Sequence, residues 1–311
     1  MRNIGYLSFL SCLLVVLYPN SGFGQQIEEL SRQELFVLAR TSDPSLINMA
    51  LPPHFKFPAD ARSSSEFGID VSHHTEDSCK CKISWSDVVL AKVKFVYFKA
   101  TQGLAFKDTT STRNWDAVHQ LQSEGKLRVG YYHFMTATSD AGSQADFFLS
   151  QIAPADSADL PPSLDVEWNA GPYSSACPPD AILTFPQQGG GSIRRCDVWS
   201  TVSGDDIIAR VNIWIDKVRT ITGRDPIVYT NTSWWKARIG DVKKVDRLHT
   251  DFVWIADYSK SGLATEKPRS PNDRRWHIWQ FSESAAIRSG QNTLKVDANI
   301  AFGPLDALFN Q

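Results

Sequence analysis

The run Ser163-Leu164-Asp165-Val166-Glu167 alternates apolar and acidic side chains, which is the period-2 signature of a strand with one face unlike the other. Working outward, seven more β-rich runs flank it: FGIDVS (67–72), KFVYFKA (94–100), RVGYYHF (128–134), PIVYT (226–230), FVWIAD (252–257), HIWQF (277–281) and LKVDANI (294–300). Helical patterns fit between the earlier runs, over 85–92, 112–124 (closed by Gly125), 141–152 and 205–222, with a short one at 234–239. In the longest, Ile208, Val211, Ile215 and Val218 keep the 3.6-residue period, Ser203 and Asp206 make a capping-box-like start, and Gly223 ends it. Alternating strands and helices with apolar strands predict a parallel sheet. Eight strands in this length predict a TIM-like β/α barrel whose last three strands lack long helices, with an open doubly wound sheet as the runner-up.

Composition bounds the function. The 311 residues carry 32 Lys+Arg against 34 Asp+Glu, a formal net charge of −2, with 10 Trp, 17 Phe and 8 Tyr. That balance excludes nucleic-acid binding by phosphate neutralisation, and the aromatic load excludes disorder. Residues 6–18 are apolar, follow Arg2 and end in Pro19-Asn20-Ser21-Gly22-Phe23-Gly24. The run is too short to span a bilayer and reads as a secretory signal over 1–24. No stable membrane insertion is expected, and the product is secreted or periplasmic. Without Arg2 the 32 basic residues become 31 against 34 acidic, or −3. Residues 25–66 hold one short amphipathic stretch (27–40) and then Pro44, Pro52, Pro53 and Pro58, which reads as an extension or linker; the folded domain is 67–311. Cys79, Cys81, Cys177 and Cys196 remain after the signal, an even number suited to two disulfides in an exported chain. Three connectivities are open, the simplest closing Cys177 to Cys196, and the spacing does not suit zinc.

In such a barrel, function sits at the C-terminal ends of the strands. Asp70, Asp165, Glu167, Asp257 and Asp297 all fall near the ends of, or within, otherwise apolar runs. Asp165 and Glu167, two residues apart on a strand, face the same side at roughly 6.6 Å. Crowded carboxyls cannot all ionise easily, so one is kept protonated as a general acid while another stays charged, which is what glycoside hydrolysis requires. Calcium binding, or pairing of these acids with Lys99 and nearby arginines, is the competing reading.

The motifs FGIDVSHH with Trp85, FKATQG (98–103) with Phe106 and Asp108, VGYYHF, the Ala141-Gln144-Ala145-Phe148 stretch, LDVE, PIVYT, WIADY (254–258), WQFS (279–282) and VDANIAFG (296–303) occur in register. With them the domain resembles glycoside hydrolase family 25, the Chalaropsis-type lysozymes. The resemblance implies an N-acetylmuramidase that cuts the β-1,4 bond between N-acetylmuramic acid and N-acetylglucosamine. Glu167 would be the acid and Asp165 would orient the substrate's 2-acetamido group, or less readily activate water in an inverting reaction. Asp70 and Asp297 would complete an acidic floor. Tyr132, Trp254, Tyr258 and Trp279 are candidate sugar contacts, and Lys99 a partner for an active-site acid. His133 is as well read as a core histidine, and His73 and His74 lie in a loop beside Asp70. Peptidoglycan strands are the expected partner of a monomer that needs no metal or other cofactor.

Two features depart from the family pattern. Gln102 stands where an acid is common, and residues 168–199, with their Pro and Gly content and the Cys177/Cys196 pair, form a long insertion that reads either as a stapled lid or as a surface loop. A wall-binding protein without catalysis is the alternative function; the complete acid set opposes it. A D-x-x-D-x-D-x-E chitinase is excluded because Ser163 and Leu160 stand where aspartates are required.

Overall fold

The computed structural model describes residues 66–152, 160–186, 191–260, 266–303 and 305. The expected signal and almost all of the expected linker lie outside the described residues. In chain order the elements are β1 (Glu66–Val71), α1 (His73–Cys79), α2 (Trp85–Leu90), β2 (Phe95–Gln102), β3 (Phe106–Lys107), α3 (Ser111–Ser123), β4 (Arg128–Phe134), α4 (Ala141–Gln151) and β5 (Ser163–Asp165). There follow β6 (Ala170–Pro172), β7 (Ile182–Pro186), β8 (Ser192–Asp197), α5 (Gly204–Thr222), β9 (Ile227–Asn231), α6 (Thr232–Arg238), β10 (Val253–Ala256), β11 (Ile278–Ser289) and β12 (Asn292–Ala301).

Eight strands close a barrel in the order β1-β2-β4-β5-β9-β10-β11-β12, with β12 returning to β1. Every expected strand is present, and among the described residues no α-helix lies between β10 and β12. The capping signals act as read: Ser203 accepts from the Asp206 N–H at the start of α5, and Gly223 takes a left-handed φ of 68° at its end.

The expectation of a parallel sheet fails at the last strand. The barrel strands β1, β2, β4, β5, β9, β10 and β11 pair in parallel, but β12 is antiparallel to both β11 and β1. Only Gly290 and Gln291 separate the Ser289↔Asn292 pair. Two residues suffice for a hairpin, whereas a parallel return needs a crossover of a dozen or more. Both strands run beyond the expected limits because the polar segments 282–284 and 291–293, which break the apolar pattern, are carried as bulge and turn.

Alternation sorts the side chains into two layers. Phe95 and Tyr97 of β2, Tyr229 of β9, Trp254 of β10 and Ile278 of β11 point into the barrel, while Val96, Phe98, Val228, Ile255 and Trp279 point out to the helices. The inner rings need space. A Cβ on Gly68 would lie 2.3 Å from the Phe95 ring, and one on Gly130 2.5 Å from the Tyr97 ring. With those glycines, Tyr97 and Trp254 meet at 4.9 Å and Trp254 meets Tyr229 edge-on at 5.3 Å, closing the interior below the strand ends.

The insertion is a three-stranded antiparallel sheet in the order β6-β8-β7, stapled by Cys177–Cys196; the second disulfide joins Cys79 to Cys81. It is fastened to the barrel wall through a buried charge. Asp197 accepts from the Arg238 guanidinium on α6 and from the Asn169 N–H at 2.9 Å, while Arg238 also reaches Asp180 at 3.0 Å and stacks near Trp168. His73 and His74, expected in a loop, begin α1, where Ser72 supplies the cap.

Removing one member of a buried ion pair leaves the other uncompensated. Arg238→Ala is therefore expected to lower the unfolding free energy by about 3–5 kcal/mol in denaturant titrations, as for other buried pairs; a loss below about 1 kcal/mol would show that the insertion is held by other contacts.

Candidate active site

The strand directions bring five carboxyl groups to one mouth of the barrel. Asp70, Asp165, Glu167, Glu283 and Asp297 line a pocket of about 210 Å³, together with Tyr132, Ser163, Tyr229, Trp254, Tyr258 and Gln280. Asp70 and Asp165 are the inward residues at or near the ends of β1 and β5. The alternation continues past β5: Val166 is buried in the outer layer and Glu167 returns to the pocket. Asp297 reaches the same mouth because β12 runs backwards, placing it opposite Asp70.

Asp70 is the best-held acid. Its Oδ2 accepts from the side-chain amides of Gln280 and Asn299, each at 2.8 Å. Those amides are themselves fixed. Trp254 Nε1 donates to Asn299 Oδ1 at 2.9 Å, and the Tyr229 hydroxyl donates to Gln280 Oε1 at 2.9 Å, with Tyr258 on the same oxygen. Burial raises the Asp70 pKa while these donors oppose it. Burial and the facing Asp70 charge push Asp297 well up, and its contact with Asp70 favours the proton on Asp297. Of the two, Asp70, with its amide donors, is the more readily ionised.

The second pair is Asp165 and Glu167. Burial pushes Glu167 from its ordinary 4.5 to about 7; Lys99 opposes this, whereas Asp70 and Glu283 reinforce it. Burial and the neighbouring Glu167 drive Asp165 well up, against the pull of Lys99. Lys99 is the counter-charge beneath both. Its ammonium donates to Gln102 Oε1 at 2.8 Å and lies 4.9 Å from the Phe134 ring. Gln102, an uncharged departure from the family pattern, thus leaves the Lys99 charge for the two acids. Ser163 Oγ and Asp165 Oδ1 are buried in the pocket wall without a hydrogen-bond partner. Such atoms carry a desolvation cost that a ligand group can relieve.

Of the sugar-contact candidates, Tyr132, Trp254 and Tyr258 line the pocket. Trp279 does not. It is fully buried against Trp276 and Phe281 and donates its Nε1 to the Asp257 carbonyl at 2.9 Å. The register explains the difference: Trp254 pairs with Ile278, so Trp279 falls one residue later and faces the opposite side. Asp257 is likewise no pocket acid. Arg269 and Ser259 bind it and hold it at a pKa of about 2, so it anchors the segment after β10. His133 takes its core reading, between Thr101 and Gln144 with Trp214 stacked on it. None of the described residues of the 168–199 insertion lines the pocket.

Sequence reasoning passed over Tyr229, Gln280, Glu283 and Asn299. PIVYT, WQFS and VDANIAFG contained three of them, with the inward period marking each, whereas Glu283 has no periodic signal. It comes to the mouth because two register shifts flank Ser282 in the β11–β12 ladder.

Comparison with known proteins agrees with this geometry. The sequence profile described as Glycosyl hydrolases family 25 matches residues 69–289. The chain is 29% identical to Lysozyme M1 of Streptomyces globisporus over 234 residues, covering 74% of this chain and 65% of that one. It is 23% identical to the N,O-diacetylmuramidase of Chalaropsis sp. over 227 residues, covering 72% of this chain and 92% of the other. Among solved structures, the bacterial lysozyme from Streptomyces coelicolor superposes with a TM-score of 0.56 at 26% identity, over 79% of this chain and 96% of that one. This chain, with its eight-stranded barrel and five-acid pocket, belongs to glycosyl hydrolase family 25.

Proposed function

We propose that the protein is a glycosidase of the lysozyme class, an N-acetylmuramidase that hydrolyses the β-1,4 bond between N-acetylmuramic acid and N-acetylglucosamine in peptidoglycan. One observation carries the reading: Glu167, with a pKa of about 7, stands beside Asp165, whose buried Oδ1 has no partner. Glu167 is protonated where the reaction runs and donates its proton to the glycosidic oxygen as the C1–O bond breaks. The carbonyl oxygen of the substrate's own 2-acetamido group closes on C1. Asp165 accepts the acetamido N–H and stabilises the positive charge that develops there. Water then opens the ring intermediate, giving its proton to the Glu167 carboxylate. Asp70, held by its amide donors, faces the cationic centre with Asp297 beside it, and Tyr132, Trp254 and Tyr258 supply ring surfaces and hydroxyls for the sugar. An inactive wall-binding role is not favoured, since a binder has no use for acids held at raised pKa in one pocket.

Residues 67–311 form the hydrolase unit in this reading, with 25–66 as a linker. Export through the 1–24 segment is supported by the two disulfides, which persist in oxidising compartments. Among the described residues no helix is long and apolar enough to cross a membrane.

Digestion of purified peptidoglycan, followed by borohydride reduction, tests the activity. Reduced muramic acid ends are expected from the wild type, and at least about 10²-fold fewer from Glu167→Gln, the scale of lost general-acid catalysis. Wall binding without new ends would transfer the protein to the binding class. The raised pKa has a second consequence. Glu167 binds its proton more tightly folded than unfolded, so its stabilising contribution is complete below about pH 4.5 and gone above about pH 7. The rate is expected to fall as pH rises through 7, and Glu167→Gln to melt at a higher temperature than the wild type at pH 8 but not at pH 4. Equal melting temperatures at pH 8 would contradict the assigned protonation.

A further inference from the structure

A second pocket, of about 160 Å³, lies outside the acidic mouth, walled by Lys267, Ser270, Asp273, Arg275, Trp276 and Phe302 among others. Strand direction sets the distance of its Phe302 wall from the mouth. Asp297 pairs with Asp70 at the acidic mouth, whereas Ala301, next to Phe302, pairs with Glu66 at the start of β1. Four residues at about 3.4 Å each separate the two by roughly 13 Å.

Three independent features mark this pocket. First, it is basic and aromatic. Arg275 rests over the Phe302 ring at 5.4 Å, Phe302 is 44% exposed, and neither Arg275 nor Lys267 has a carboxylate partner among the described residues. Arg274, by contrast, is engaged by Asp246 and Asp251. Second, Ser270 Oγ is buried in the wall with no hydrogen-bond partner. Third, Asn272 and Asp273 are consecutive non-glycine residues in the left-handed region, with φ of 53° and 50°. Backbone of this kind gathers at ligand clamps. The acidic mouth and this basic pocket thus carry opposite charge on one barrel.

We propose that this pocket is a second glycan site that takes the muramoyl residues of a neighbouring strand together with the carboxylates of their amide-linked stem peptides. A carboxylate pairs with Lys267 and Arg275, the sugar face lies on Phe302, and Ser270 donates to a ring substituent. Such a site holds the enzyme on an insoluble wall while the acidic pocket, which repels anions, works on the strand it encloses. The proposal rests on the muramidase reading. Phosphodiester-bearing wall polymers offer the same anionic saccharide chemistry, and the experiment separates the two sources.

Sedimentation of the full-length protein with purified sacculi, acid-extracted to strip wall polymers or left unextracted, measures binding, with Glu167→Gln present throughout to prevent digestion. Added Arg275→Ala or Phe302→Ala is expected to weaken binding about fivefold on both preparations, the scale of a lost cation–π or charge contact. Arg275→Lys, which keeps the charge, retains most of the binding. With Glu167 intact, the same surface variants are expected to cleave a soluble muramoyl oligosaccharide at the wild-type rate, which also shows that they fold. Unchanged binding by both alanine variants would overturn the site, and weakening confined to unextracted sacculi would overturn the carboxylate assignment. Failure of the wild type to cleave the soluble oligosaccharide would remove the muramidase reading instead, a result distinguishable because it does not depend on either surface residue.

Discussion

Asp70 is a buried carboxylate that survives at the barrel mouth because two side-chain amides donate to it, and those amides are held by a tryptophan and two tyrosines. Burying a charge without such partners is prohibitive, and here the partners come from β11, β12, β10, β9 and the turn after β10. Closing the barrel and building the acidic site are therefore one act. The inner aromatics that support the network also fill the interior below it, so that Trp254 serves both as part of the core and as the donor that aims Asn299. A pocket with this construction has little freedom to rearrange, which is what electrostatic preorganisation requires.

The antiparallel β12 has a chemical effect as well as a topological one. Running backwards, it presents Asp297 to Asp70 and Asn299 just beneath, and its hairpin with β11 carries the bulge that brings Glu283 to the mouth. The acids then divide into two pairs. In the first, contact with Asp70 favours the proton on Asp297, whereas in the second burial raises Asp165 and Glu167 against the opposing pull of Lys99. The neutral Gln102 beside Lys99 adds no charge of its own. The resulting poise, with Glu167 at about 7, arises from burial and geometry.

The disulfide-stapled insertion adds a small sheet to the barrel, fastened by the buried Asp197–Arg238 pair. The basic pocket near Phe302 shares no lining residue with the acidic mouth, and the two differ in charge sign.

Much of this was legible in the chain itself. Strand period and the helix caps at Ser203 and Gly223 depend on local sterics and hydrogen bonding, so all eight strands and the main helices were readable, as was the inward pairing of Asp165 with Glu167 two positions apart, although β11 runs on to Ser289, well past its expected end. What local pattern does not encode is register between strands. That is why Trp279 read like Trp254 yet faces the other way, and why Asp257 read as a pocket acid but is consumed by Arg269. The hairpin direction of β12, the network around Gln280 and Asn299, and the arrival of Glu283 depend on which strand lies beside which. Those contacts bridge up to 229 residues of chain, and only closure of the barrel selects them.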